Sequence, residues 1–184
     1  TAKMIAPAIV DLMVVSLVPE PVTYISYSVC SPPGGGGDPH FNTWDGHKYD
    51  FHGQCDLVLA ENKAFGNGMG LDIHIRTTIR NTFSYISAVA LRIGEDILEV
   101  ASHGVHHLNG GVVGADVEYE ISGYPIEYTQ VDDNKHVYVV SLDKGQQIVI
   151  KSFKDFCSVN IRGAKAEDFA GSVGLLGEFG TGDW

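Results

Sequence analysis

Apolar and polar residues alternate strictly along Leu71-Asp72-Ile73-His74-Ile75-Arg76. An extended segment with that pattern has one greasy face and one wet face, as a half-buried β-strand does. Similar short runs recur at Asp56 to Glu61, Tyr85 to Ile93, Ile97 to Ala101, Val117 to Ile121, Ile126 to Val131, His136 to Leu142, Gln147 to Phe153 and Ser158 to Ile161. Turn-forming residues separate them, notably Asn109-Gly110-Gly111 and Asp132-Asp133-Asn134, both hairpin signals. After residue 38 no stretch keeps a helical apolar period over several turns, which excludes alternating βαβ units; one helical turn near Ala164 to Phe169 is the most the pattern allows. No internal repeat points to a propeller or solenoid. Evenly spaced short strands predict an all-β fold, a two-layer antiparallel β-sandwich.

Ahead of these strands lies a segment of different character. Residues 1–33 are expected to form an N-terminal extended arm with a Pro/Gly linker, and residues 34–184 the sandwich domain. The arm ends in Val22 to Val29, where Tyr24, Ile25 and Tyr27 are β-formers and Ser26 and Ser28 polar. Ser31 to Gly37 then carries two prolines and four glycines, which forbid a helix and favour a wide turn. The longest apolar stretch, Met4 to Val18, contains Pro7 and Asp11 and falls short of the roughly 20 residues a spanning helix needs. No membrane span is therefore expected. A chain that starts at Thr1 has either lost a signal peptide or been taken from something longer.

Composition narrows the partners. Twelve basic against 23 acidic side chains give a formal charge of −11, a field that repels nucleic acid and anionic membranes and tolerates cations, basic proteins and neutral glycans. Three cysteines, Cys30, Cys55 and Cys157, are widely spaced without a CxxC, so neither a zinc ribbon nor a thioredoxin-like pair is present. One bridge plus one odd thiol is the simplest arithmetic. Cys55 with Cys157 is preferred, leaving Cys30 over, although three pairings exist and buried free thiols are the alternative.

The most specific stretch runs from Gly37-Asp38-Pro39-His40 through Phe41-Asn42-Thr43-Trp44-Asp45-Gly46 to Tyr49-Asp50-Phe51-His52-Gly53-Gln54-Cys55 and the apolar Leu57-Val58-Leu59-Ala60. It resembles the opening of a von Willebrand factor type D domain: GDPH, an aromatic, T-F-D-G, then Y-x-F-x-G-x-C and a short strand. Asp168 to Phe179, with Gly174-Leu175-Leu176-Gly177-Glu178-Phe179, is similar to the G-L-C-G-N-F close of the same domain. The resemblance brackets residues 37 to 184. It implies a stacked antiparallel sandwich, a secreted setting and roles in assembly, adhesion or matrix building. Val173 and Leu176 stand where many members carry cysteine, so this is a disulfide-poor variant whose apolar core carries its stability.

Two chemical expectations follow from the resemblance. Calcium in the family lies between the Asp of T-F-D-G and an acidic loop after G-N-F, which points here to Asp45, Glu178 and Asp183. Calcium needs six to eight oxygens; the plainer and preferred reading is that Asp45 caps its own turn beside a solvated Gly-rich terminus. Some members also cut themselves within GDPH. At Asp38-Pro39 the Asp carboxyl can attack its own carbonyl while the proline nitrogen leaves, with His40 as a nearby proton donor. The preferred alternative is that Pro39 simply fixes φ at a strand entrance.

Other chemistry is weaker. His103, His106 and His107 could suggest zinc, but neighbours on a strand face opposite ways and no HExxH is present, so a solvated turn is preferred. There is no GxSxG, the glycines at 34–37 lack a following GK[ST], and Asp132 with Asp133 reads as a hairpin tip. Trp44, Tyr49 and Phe51 are expected to fill the core. The reading is thus a non-catalytic extracellular structural or adhesive module whose partners are other protein chains or extracellular assembly components, in homo- or hetero-oligomers. The arm is expected to pair with another module's sheet edge. A type D module of a lipid carrier ranks second and a metal-dependent enzyme third.

Overall fold

The computed structural model describes residues 39–112, 118–164 and 166–180. The chain folds as three antiparallel sheets built from β1 (His40–Asn42), β2 (Lys48–Asp50), β3 (Asp56–Asn62), β4 (Leu71–Arg80), β5 (Phe83–Ile93), β6 (Asp96–Ala101), β7 (His106–Leu108), β8 (Gly111–Val112), β9 (Tyr119–Ile121), β10 (Tyr124–Asp132), β11 (Lys135–Ser141), β12 (Gln147–Phe153) and β13 (Cys157–Arg162). Two short helical turns, α1 (Phe65–Gly68) and α2 (Ala166–Phe169), complete the order. Spatial order is β3-β4-β5-β6-β7-β8 in the larger layer and β13-β12-β11-β10-β9 in the smaller, with β1 and β2 as a separate hairpin. Every pairing is antiparallel. The fold is therefore the all-β, sandwich-like architecture that the alternation predicts.

The core is made by that alternation. Leu71, Ile73 and Ile75 of β4 are fully buried opposite Ile93, Leu91 and Val89 of β5, and β6 adds Leu98 and Val100. The facing layer supplies Ile121, Ile126, Tyr138, Val140, Ile148 and Ile150. Burying one such side chain stabilises by roughly 1.5–3 kcal/mol, which is why a chain poor in disulfides holds this shape.

Expected strands are found within one or two residues of their places, except that β4 runs on to Arg80 and residues 113–117 lie outside the described set. The single helical turn near Phe169 is α2. Not anticipated were β1, β2, β7 and β8, each two or three residues long and too short to show a period. The arm strand at Val22 to Val29 lies outside the described residues.

The preferred bridge is corrected. Cys157 is a free thiol and Cys55 is disulfide-bonded, so they are not partners. Cys157 opens β13 with its side chain turned into the core, its Sγ 3.7 Å from Ser87 O and 3.9 Å from Val100 O. Cys55 sits immediately before β3, where its amide donates to the Thr77 hydroxyl at 3.0 Å. Cys30 lies outside the described residues.

Candidate functional site

The signature segment builds the β1–β2 hairpin and its turn. Thr43 N donates to His47 O at 2.8 Å and Gly46 N to Thr43 O at 3.0 Å, closing the turn. Asp45 caps it: the Thr43 hydroxyl donates to its carboxylate, and His47 N lies 3.4 Å from the same oxygen. Those donors, Thr43 first, hold the Asp45 carboxyl below its ordinary value.

A clasp joins this hairpin to the end of the described chain. Trp44 N donates to Leu176 O at 3.1 Å and the Tyr49 hydroxyl to Leu175 O. The Trp44 ring packs 5.6 Å from Phe169 and edge-on, 5.1 Å from Phe179. Trp44, Tyr49 and Phe51 are half-buried against the core, so they fill it from one end, where the hairpin closes the sandwich.

The closing segment in turn seals β3. Glu61 and Val173 exchange main-chain bonds of 2.8 and 2.9 Å, and Leu175 N and Leu176 N reach Val58 O and Leu59 O at 3.1 and 3.2 Å. The approach is so close that a Cβ on Gly174 would stand 2.8 Å from Leu59 O, at a φ of +126° that favours glycine. Asn62, 2% exposed, ties the same segment down: its amide group lies 3.2 Å from Asp168 O, 3.3 Å from Ala170 O and 3.0 Å from Ser172 Oγ. Its Oδ1 accepts from Ala64 N at 2.9 Å.

The expected site residues fall as follows. Pro39 is buried immediately before β1 and accepts from Phe51 N at 3.1 Å, as suits a strand entrance. His40 is exposed and pairs with Asp50, its cross-strand neighbour. Asp38 lies outside the described residues. Asp45 lies in the hairpin turn and Glu178 in the closing segment, while Asp183 is outside the described set. Among the described residues no three of His, Cys, Asp and Glu gather as metal ligands.

The histidine group is split, and the solvated-turn reading holds for His103 alone. His103 is exposed in a 3-10 turn, Ser102–Gly104. His106 instead turns inward: the Tyr138 hydroxyl lies 2.9 Å from its Nδ1 and 3.2 Å from Gly104 O, while the Tyr128 hydroxyl meets His136 Nδ1 at 2.9 Å. Burial and the neighbouring tyrosines push the Tyr138 phenol well above its ordinary value. His107 faces the opposite side, across from Glu99 of β6. Sequence reading missed this buried ring cluster and Asn62. The period of two along His136, Tyr138 and Val140 was a signal for the first; nothing local signals the second.

Hairpin, clasp and sandwich-like layers define a class, a β module whose first and last described segments meet. The von Willebrand factor type D domain model matches residues 35–179, and the chain belongs to that family. A human relative, IgGFc-binding protein, is 34% identical over an alignment that covers 27% of this chain and 2% of the relative's length. The chain thus matches only a small part of that protein.

Proposed function

We propose that the chain works as a non-catalytic adhesive or assembly module, binding other protein chains in an extracellular setting. The observation that carries this is the family match across the whole sandwich together with the clasp, which closes the domain on itself and leaves its surfaces for contact. The relative's name records binding of an immunoglobulin Fc region by that protein; it supports protein recognition as this chain's class of task. Sedimentation of the full chain, alone and with candidate extracellular protein chains, is expected to show a reversible shift in mass. Strictly monomeric behaviour with all of them, together with turnover abolished by a chelator, overturns the proposal in favour of an enzyme.

Two finer elements belong to this reading. Calcium would be held by Asp45 and Glu178 with Asp183, and adding it should raise the melting temperature relative to chelator; the two described carboxylates supply too few oxygens alone, so main-chain carbonyls would complete the shell. Asp38-Pro39 would cleave at mildly low pH. A reducing gel after incubation near pH 5 should show a fragment ending at Asp38, and its absence removes self-cleavage from the account.

A further inference from the structure

Asparagine is followed by glycine at two places in the chain, Asn67-Gly68 and Asn109-Gly110. Such a pair is chemically labile. The glycine main-chain nitrogen, with no side chain beside it, can attack the amide carbon of the asparagine before it. The five-membered ring that closes holds Cβ and the attacking nitrogen nearly eclipsed. That asks for ψ of about −120° beside a positive φ, as at the first central position of a type II′ turn. Both asparagines already have the left-handed φ, +59° at Asn67 and +51° at Asn109. They differ in what holds each amide group.

Asn109 is pinned. Its Oδ1 accepts from Ile97 N at 2.8 Å, and its Nδ2 donates to Asp96 Oδ1 at 2.8 Å. Asp96 is fixed in turn by Ser122 N at 2.7 Å and the Ser122 hydroxyl at 3.1 Å. Both side-chain bonds of Asn109 must break before its amide carbon can swing toward Gly110 N, which slows the reaction by at least about tenfold. Asn67 carries no such lock: it is exposed, and no described residue bonds its side chain. Its ψ is +38°, so ring closure needs a flip of the peptide plane between residues 67 and 68. The flip breaks the single bond from Gly68 N to Ala64 O, 3.1 Å long. Glycine accepts either hand of φ, and beyond its chain neighbours nothing stands within 4 Å of where a Gly68 Cβ would be, so the turn has room to move.

We propose that Asn67-Gly68 is a self-modifying site, at which the Asn67 amide becomes a carboxylate with age while Asn109 stays intact in the folded chain. Gly68 N bonds to Asn67 Cγ, and the side-chain nitrogen leaves as ammonia, taking the proton that Gly68 N gives up. Water then opens the succinimide at either carbonyl and leaves aspartate or isoaspartate. Water is the only co-reactant. The product adds a negative charge to a hollow of about 180 Å³, which Asn67 lines with Asp143, Glu167 and Asp168 and with Lys144 as the one cation among its lining residues. In the isoaspartate form the main chain is longer by a methylene inside α1. That turn closes through Gly70 N to Phe65 O at 3.0 Å and seats the buried Phe65 ring 5.9 Å from Phe169. The modification therefore acts on both the charge of the hollow and the packing of α1 against α2.

The test is peptide mapping by mass spectrometry on the full chain, aged in mildly alkaline buffer with and without denaturant. In the folded chain the peptide holding Asn67 is expected to gain the mass of an amide turned acid at least about tenfold faster than the peptide holding Asn109. In denaturant, where the bonds to Ile97 and Asp96 are gone, the two rates should converge. Asn67→Gln, which can close only a larger ring, should abolish the gain in its peptide. Asn109 reacting as fast as Asn67 in the folded chain overturns the proposal, as does an Asn67 that stays intact. So does a rate gap that persists in denaturant, because the fold would then not be its cause, or a gain that survives Asn67→Gln and so belongs to another residue.

Discussion

Removing the Asn62 side chain should loosen the whole closing segment. Its amide group has two hydrogens shared among three acceptors between 3.0 and 3.3 Å, and its oxygen accepts one main-chain amide. About three net bonds are lost in Asn62→Ala; at roughly 0.5–1.5 kcal/mol each, the cost is about 2–4 kcal/mol. For a domain of this size that lowers Tm by about 5–15 °C. Asn62→Asp keeps the shape but sets a carboxylate against the Asp168 and Ala170 carbonyls, so it should cost more than alanine at neutral pH. Its excess cost should fade toward pH 4, where the introduced carboxyl regains a proton to donate. Denaturant unfolding followed by fluorescence reads this directly, because Trp44 packs against Phe169 and Phe179. A loss below about 1 kcal/mol for Asn62→Ala, or an aspartate variant milder than the alanine one, refutes the reasoning.

Other expectations can be checked on the same preparation. Tyr138→Phe removes the hydroxyl that meets His106 and Gly104 and should cost about 1–3 kcal/mol in denaturant unfolding; an unchanged midpoint means the ring alone matters. Burial pushes the Cys157 thiol up to about 12, so a thiol-reactive dye should label it only after unfolding, and rapid native labelling contradicts its placement. Glu99, 2% exposed, has its carboxyl raised by burial. A group raised in the fold contributes stability while protonated and loses it as pH climbs through the folded value. Glu99→Gln should therefore raise Tm at pH 7 and change it little near pH 4; a gain that is larger in acid contradicts this.

Strand positions were legible because burial on one face imposes a period of two, and β12 occupies the very run, Gln147 to Phe153, that its alternation marks out. The hairpin that carries the signature was not legible as strands, since three residues cannot display a period. Asp45 as a turn cap was readable because Asp accepts local main-chain donors. Cysteine pairing was not, for it depends on which way Cys157 turns, and Cys157 turns into the core. Asn62 looked like any polar strand end; only the return of residues 168–172 over it gives its amide a purpose.

The clasp between Trp44 and Leu176 places the way in and the way out of the described domain at one corner. Force applied at those two segments would therefore meet the clasp first. The few bonds at Trp44 and Tyr49 would bear that load while the layers stay slack.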